Sequence, residues 1–574
     1  MLFPTATLAL VTTPVDFLFH TWSFQFLGRD IFAHDTWESV MYFSRIGLAL
    51  IAAGMLLIEA RAKRLGEKLP EKTLKRIGIA VAVIGFIAYF DGFNPNVRYP
   101  DYYHRHEFYH YYLGSKYSHA LGYTRLYECT MIAEVENGRG EQIKKREIRD
   151  LSVNLIRPVT ETYVFKDPGQ CKSRFSPDEW ESFKKDVAWF ESVSRGGYWE
   201  NMQQDHGYNP PPVWTATGKL FASIAPAGDG FFKLLSLLDI GLQAGTLLIL
   251  YWAFGWRVMA VASVFWGTNA AANFYWTGGA FLRQDWVFFM VASVCFARKR
   301  RFGLAGAALT WSSLLRVFPM VAFAGWIIVI GIHLWKHKKL HPNHQRLIMG
   351  CVVCAGLLIP TSMVVAGPEA YRDFFAHIKV HNRTPLTNHM GLETILVHDW
   401  HGRMRFTRDA TLDDPFELWK QGRRDRFDHL KPVFFAISGA VFLWMAWALR
   451  RTKSLWIAAG LSIPLVISLT NLTCYYYCMF LIVIPLIRVM PAMAPALLAT
   501  AGASQIILRS FYFIDDQYTA ESYLFYAMGL LLLWAYSRPF SMERLRAWLD
   551  GKPEPRTKTT PPASPPAAQA PAAS

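Results

Sequence analysis

Charge is scarce in this chain, and cysteine is scarcer. Asp, Glu, Lys and Arg make up 18% of the 574 residues, whereas 52% are hydrophobic and 15% aromatic, with a mean hydropathy of +0.15. So apolar a composition, in runs interrupted so evenly, excludes an ordinary soluble enzyme. There are seven cysteines. No CxxC pair lies in the polar stretches, because Cys351 and Cys354 form CVVC within an apolar run, so a cysteine-based zinc site is excluded there. The first 35 residues lack a basic n-region and a small-residue cleavage site. They read as an interfacial or extra membrane segment over 1–36, not a signal peptide. There is also no inverted repeat, and no pair of Gly- or Pro-broken runs in matching positions, of the kind many transporters carry.

What is present is a series of long apolar runs from about residue 40 to about residue 537. Each approaches the roughly 20 residues that cross a bilayer as a helix. The expectation is an all-α polytopic membrane protein with about 11–14 transmembrane helices. Much of the formal net charge of +16 lies in clusters beside these runs, namely EARAKRLGEKLPEKTLKR, ARKRR, WKHKKLHPNHQR and LRRTK. This is the pattern of cytoplasmic loops, and it calls for no nucleic-acid partner. Counting outward from the clusters places the first transmembrane helices in 37–90 and a large extracytoplasmic loop over 91–230. A bundle over 231–540 follows, with a second outer loop at 367–431. The Pro/Ala-rich tail 541–574 is expected to be a disordered cytoplasmic segment. The localisation expected is a bacterial inner membrane, with the active site facing the periplasm.

The polar residues that could do chemistry lie in the outer loops on this topology. The first loop opens with DGFNPNVRYPDYYHRHEFYHYYLG, bringing Asp91, Asp101, Glu107, His110 and Tyr111 just beyond a run. It ends in DHGYNPPPVW, with Asp205 and Asn209 before a proline-stiffened turn. A short loop carries Arg283, Gln284 and Asp285; Arg316 stands alone between apolar runs; the second loop holds Lys379, His381 and Asn388. Carboxylates facing cations at one membrane surface suit a base that deprotonates an acceptor hydroxyl beside groups that hold a phosphate leaving group. The bland readings are interfacial Tyr and Trp, a span-capping Asp91, and snorkelling Arg283 and Arg316. Cys129 and Cys171 share the first loop, where an oxidising compartment favours a disulfide; the alternative is two free thiols.

The run from Glu107 and Phe108 through Tyr111 to Gly122 and Tyr127 resembles the first loop of the GT-C superfamily of membrane glycosyltransferases. It is most similar to the bacterial polyprenyl-phosphate-mannose-dependent mannosyltransferases. YNPPPVW is similar to that branch's Tyr-Pro-Pro turn. GGAFLRQDWVFFMVASVCFARKRRFGLAGAALTWSSLLRVFPM resembles its Gly-Gln loop, span, basic turn and Lys-x-x-Pro, with Arg316 where Lys is usual. The resemblance spans about residues 75–390. It departs at the acidic position, usually Asp and here Glu107, and in the length of the loop that holds Cys129 and Cys171.

The resemblance implies inverting transfer of a mannose-like hexose from a polyprenyl-phosphate donor to a glycan, lipid or protein acceptor, with no cofactor. Glu107 is then the first choice of base and Asp101 the second. Arg283 and Arg316, with Lys379 or His381, would hold the lipid phosphate. Asp205 and Asn388 would orient sugar hydroxyls, and Asp91, His110, Tyr111, Asn209 and Gln284 complete the expected substrate contacts.

One motif competes with this reading. HEFYH, residues 106–110, matches the His-Glu-x-x-His signature of zinc metalloproteases. The extended signature would put Gly at 113 and His at 116, but the chain has Leu113 and Lys116. His119 and Glu128 are the nearest third ligands in sequence, at no known spacing. A membrane zinc protease is therefore the alternative enzyme, and a transporter or scaffold without chemistry the third class.

Overall fold

The computed structural model describes residues 23–26, 29–94, 103–194, 196–537 and 542–550. Most of the expected N-terminal membrane segment, Asp101, and the Pro/Ala-rich tail from residue 551 lie outside the described residues. Of the described residues, 74% are helical and 3% lie in strands. Among the described residues, five helices are long and apolar enough to cross a membrane: His34–Arg64, Asp229–Phe254, Phe318–His337, Pro342–Ala366 and Glu417–Leu449. At about 1.5 Å per residue, even the 20-residue Phe318–His337 reaches the roughly 30 Å of a hydrocarbon core. Pro342–Ala366 turns Val352, Val353, Leu357 and Val364 outward. Such an apolar face is stable against lipid and not against water. The chain is a membrane protein.

Hydropathy counts more runs than these five, and the structure gives the physical reason. Trp256–Thr268, Asp285–Arg298 and Phe302–Leu315 are helices of 13, 14 and 14 residues. The run at 454–471 is two short helices, Leu455–Gly460 and Ile463–Leu469, with Pro464 at the start of the second. The run at 475–491 is two 3-10 segments, Cys474–Ile482 and Ile484–Arg488, with Pro485 beginning the second. Both interrupted runs are almost wholly buried, so packing rather than helix length determines their shape.

The helices approach closely where glycines face each other. A Cβ on Gly350 would sit 1.9 Å from the Gly303 carbonyl oxygen, and one on Gly267 would sit 1.9 Å from that of Gly85. Bare backbone at these contacts lets the Phe302–Leu315/Pro342–Ala366 and Glu71–Tyr89/Trp256–Thr268 pairs pack without intervening side chains.

The polar stretch from 103 to 228 folds as a helical unit. Its main helices are Arg105–Lys116, Leu126–Glu134, Pro177–Val193 and Pro212–Ala222. A hairpin, Glu147–Asp150 with Leu155–Pro158, lies between the second and third. Pro177–Val193 starts on a capping box in which Ser176 and Glu179 satisfy each other's backbone N–H groups. Cys129 and Cys171 are joined by a disulfide across the buried side of this unit. Phe108 stacks on Phe232 of Asp229–Phe254, with ring centroids 4.4 Å apart, and seats Arg105–Lys116 on the apolar bundle.

Candidate functional site

Arg105–Lys116 is the helix that organises the site. It buries Phe108, Tyr109, Tyr112 and Leu113 completely. The helical repeat then places Glu107 and Tyr111 on one stripe and His106 and His110 on the next. Each i,i+4 pair meets a different set of partners.

Glu107 and Tyr111 meet Arg283. The turn that presents this arginine is held through its backbone by Trp214 and Asp239. Trp214 Nε1 donates to the Leu282 carbonyl at 2.9 Å. The backbone N–H groups of Arg283 and Gln284 donate to Asp239 Oδ1 at 3.0 and 3.1 Å. Leu282 takes a left-handed φ of 50°, a conformation that a leucine adopts only when its surroundings enforce it. The guanidinium Nε then lies 2.9 Å from Glu107 Oε2, and Nη1 donates to the Tyr111 hydroxyl at 2.6 Å. The Tyr111 hydroxyl donates to Asn209 Oδ1 at 3.0 Å. The guanidinium carbon also lies 4.4 Å from the Tyr111 ring centroid and 5.3 Å from that of Tyr475.

One polar atom in each of the Glu107, Arg283 and Arg316 side chains is buried without a hydrogen-bond partner. Glu107 Oε2 and Arg283 Nε are close, but the N–H does not point at the oxygen. Arg316 donates from Nη1 to the Leu315 carbonyl at 2.7 Å, while its Nη2 has no partner. Buried donors in native proteins are nearly always satisfied, so the Arg316 N–H marks a place where an acceptor belongs. Burial pushes the Glu107 carboxyl above its ordinary range; the Arg283 and His106 charges offset this only in part, and the Asp205 charge adds to it.

His106 and His110 meet the segment that carries Asp205. His106 Nε2 lies 3.5 Å from Asp205 Oδ2. His110 Nδ1 is 2.7 Å from the His106 carbonyl oxygen and its Nε2 is 2.7 Å from the Tyr127 hydroxyl, which also accepts from the Gly207 N–H at 2.9 Å. His106, His110 and Asp205 each bring one ligand-type atom to within 4.8 Å of the others. Burial, followed by the neighbouring His106 charge, pushes His110 down to about 4. Burial would raise Asp205, but the surrounding His106, His206 and His110 hold it low.

Of the residues singled out in the sequence, Glu107, Tyr111, Asn209 and Arg283 are joined by direct contacts, and the Arg316 charge acts on Glu107. Gln284 turns aside, its Nε2 donating to the Tyr89 hydroxyl at 3.4 Å. Asp91 Oδ1 is 2.5 Å from Arg45 Nη2, and its carbonyl accepts from Trp37 Nε1, so it ties two helices together. His381 sits against His206, rings 5.7 Å apart, and burial lowers its pKa, which disfavours a cation for a phosphate. The Asn388 carbonyl accepts from the Cys474 N–H at 2.9 Å, beside the two-residue pairing of His389–Met390 with Leu472–Thr473. Lys379 is exposed. His119 is 3.4 Å from Glu179, and Glu128 is buried in Leu126–Glu134, so neither reaches the histidine pair.

Sequence reading missed Asp239, Trp214, Tyr475 and Tyr476. The first two hold the Arg283 turn, and Tyr476 packs on Trp286 and Phe318 at 5.6 and 4.9 Å. Three consecutive tyrosines in an apolar run, and a lone Asp239 in another, were the available signals. A cavity of about 610 Å³, lined by Arg125, Arg174, Arg372, His377, Tyr123 and Tyr208 among others, lies apart from Glu107 and Arg283. Tyr208 touches both regions, its ring 6.1 Å from that of Tyr111. No family model, curated protein or solved structure matches this chain.

Proposed function

We propose that the chain is an integral membrane glycosyltransferase of GT-C type that moves a mannose-like hexose from a polyprenyl-phosphate donor to a glycan, lipid or protein acceptor outside the cytoplasm. On this reading the short and interrupted helices also cross the membrane inside the bundle, giving 11–14 spans. Backbone of that kind is tolerated at membrane depth where protein buries it. The observation that carries the reading is the pairing, in one buried cluster, of a carboxylate with a free oxygen and a guanidinium with a free N–H: Glu107 Oε2 and Arg316 Nη2.

The chemistry follows from those groups. The acceptor hydroxyl attacks the anomeric carbon, and Glu107 takes the hydroxyl proton. The bond from that carbon to the phosphate oxygen breaks on the opposite face, and its electron pair stays with the phosphate. Arg283 and Arg316 hold the resulting charge, so the anomeric configuration inverts. Arg283 shields Glu107 until the donor phosphate draws its guanidinium away. Desolvation by burial supports a carboxylate more basic than usual, as a base near neutral pH requires.

The HEFYH hydrolase reading needs Glu107 turned to a metal-bound water, and here the carboxylate lies against Arg283. The test follows radiolabelled polyprenyl-phosphate mannose and glucose with the full chain in lipid, alongside Glu107→Gln. Donor consumption that is lost in the variant supports transfer. Intact donor with both sugars, in protein that remains folded, would defeat it.

A further inference from the structure

The HEFYH histidines remain outside the Glu107–Arg283 cluster, and the fold gives them a third partner that no sequence spacing indicated. We infer that His106, His110 and Asp205 form a binding site for one zinc-class divalent cation. The inference does not rest on the glycosyltransferase reading.

The donor set decides the class of ion. Two imidazoles and one carboxylate suit zinc and its borderline neighbours, whereas magnesium and calcium take oxygen ligands. Ligands about 2.0–2.1 Å from a tetrahedral zinc stand roughly 3.4 Å from one another. His106 Nε2 and Asp205 Oδ2 already stand 3.5 Å apart, and all three ligand atoms lie within 4.8 Å. The tautomer of His110 is set by its surroundings. Nδ1 faces the His106 carbonyl and must donate, which leaves the Nε2 lone pair for the Tyr127 hydroxyl or a cation. A carbonyl that fixes the far nitrogen is the usual support of a ligating histidine. The Tyr127 hydroxyl keeps its bond from the Gly207 N–H in either case.

The ion would act as a positioning clamp. Asp205 lies four residues before Asn209, whose side chain accepts from Tyr111. A cation bridging the His106/His110 stripe to Asp205 therefore fixes the segment that orients Tyr111 and, through it, Arg283.

The test uses the full chain carrying a tag without histidine, purified without chelator. Elemental analysis reads bound zinc, and thermal unfolding reads the response of the metal-stripped protein to zinc and to magnesium. The expected result is about one zinc per chain and a midpoint raised by micromolar zinc but not by magnesium. Zinc affinity should fall on the order of 100-fold in His106→Ala and in Asp205→Asn, and stay unchanged in His344→Ala. That last variant controls for a second group of histidines, where His333 lies 5.2 Å from His344 and 4.4 Å from His337, ring to ring. Absence of both bound zinc and a zinc-dependent midpoint overturns the inference. So does zinc binding that survives both ligand variants or is lost in His344→Ala. Donor consumption, measured separately, reports on the transferase reading alone.

Discussion

Nε of Arg283 lies 2.9 Å from Oε2 of Glu107, yet its N–H does not point at that oxygen, and both groups are buried. Nη2 donates to Glu107 Oε1 at 3.4 Å, so the pair is held by its charges and one long hydrogen bond. It can therefore open when a phosphate offers Arg283 a better partner, and Glu107 Oε2 keeps a lone pair for a proton.

Glu107→Gln removes that lone pair's basicity and keeps the shape of the side chain. On the proposed mechanism, turnover of a polyprenyl-phosphate hexose falls by about 10²- to 10⁴-fold, the range for a lost general base, with little change in the donor KM. Steady-state kinetics in lipid vesicles, together with the unfolding midpoint, check this. A raised KM at full kcat would make Glu107 a binding group instead.

Arg316 leads to a prediction of opposite sign for stability and for binding. Its Nη2 is buried without a hydrogen-bond partner, so the donor-free protein leaves one N–H donor unsatisfied there. Arg316→Gln is expected to leave the thermal midpoint unchanged or raise it. Donor affinity should weaken by roughly tenfold or more, the equivalent of one lost charge-assisted hydrogen bond of about 1.5–3 kcal/mol. Parallel melting and donor-binding measurements separate the two effects. A large loss of stability would show that Arg316 already has the partner it needs inside the protein.

Glu128 links the polar unit to pH. Burial pushes its carboxyl up to about 8, the nearby Asp150 charge acts in the same direction, and Oε2 has no hydrogen-bond partner. The folded form thus holds a proton that the unfolded chain releases near its ordinary value of 4.5. The sign follows: the neutral acid costs nothing below about pH 4.5, and stability falls as pH rises to about 8, at up to roughly 1.4 kcal/mol per pH unit. Above that the loss is complete and the curve is flat. Glu128→Gln should flatten the profile and raise the midpoint at neutral pH. Thermal melts at pH 5, 6, 7 and 8 (on the order of one unit apart, to sample the slope) provide the comparison.

How much of this could be read beforehand depends on the range of the interaction. The helix under HEFYH and the prominence of Glu107 and Arg283 follow from local pattern, since i,i+4 spacing and an isolated charge beside an apolar run are visible in one sequence. The contact between them is not, because it joins residues 176 positions apart. The same limit hid Asp205 from His106. His119 and Glu128 looked nearer in sequence, but their helices carry them elsewhere. Interrupted helices posed another problem. Hydropathy sees YYYCMFLIVIPLIRVMP as one span, whereas buried packing around Tyr475, Tyr476 and Pro485 draws it into 3-10 turns. Asp91, read as a candidate substrate contact or a span cap, has its carboxylate on Arg45.

The Cys129–Cys171 bond makes the polar unit dependent on redox state. It closes a loop of 42 residues, and both sulfurs belong to fully buried residues. By chain entropy alone a loop of that length is worth about 4 kcal/mol. The bond also pins the short helix Gly169–Lys172 against Leu126–Glu134, the helix whose Tyr127 supports His110. Cys129→Ser is therefore expected to lower the midpoint of the polar unit by a margin of that order. Dithiothreitol should do the same to the unaltered chain and add nothing to the variant. Limited proteolysis within 130–175, compared with and without reductant, reads this directly, because cleavage tracks the open population. Equal protection of the oxidised and reduced chains would mean that packing of Trp180, Phe183 and Phe190 holds the unit without the bond. In that case the loop's stability would come from its aromatic core, and Cys129→Ser would change neither the fold nor donor turnover.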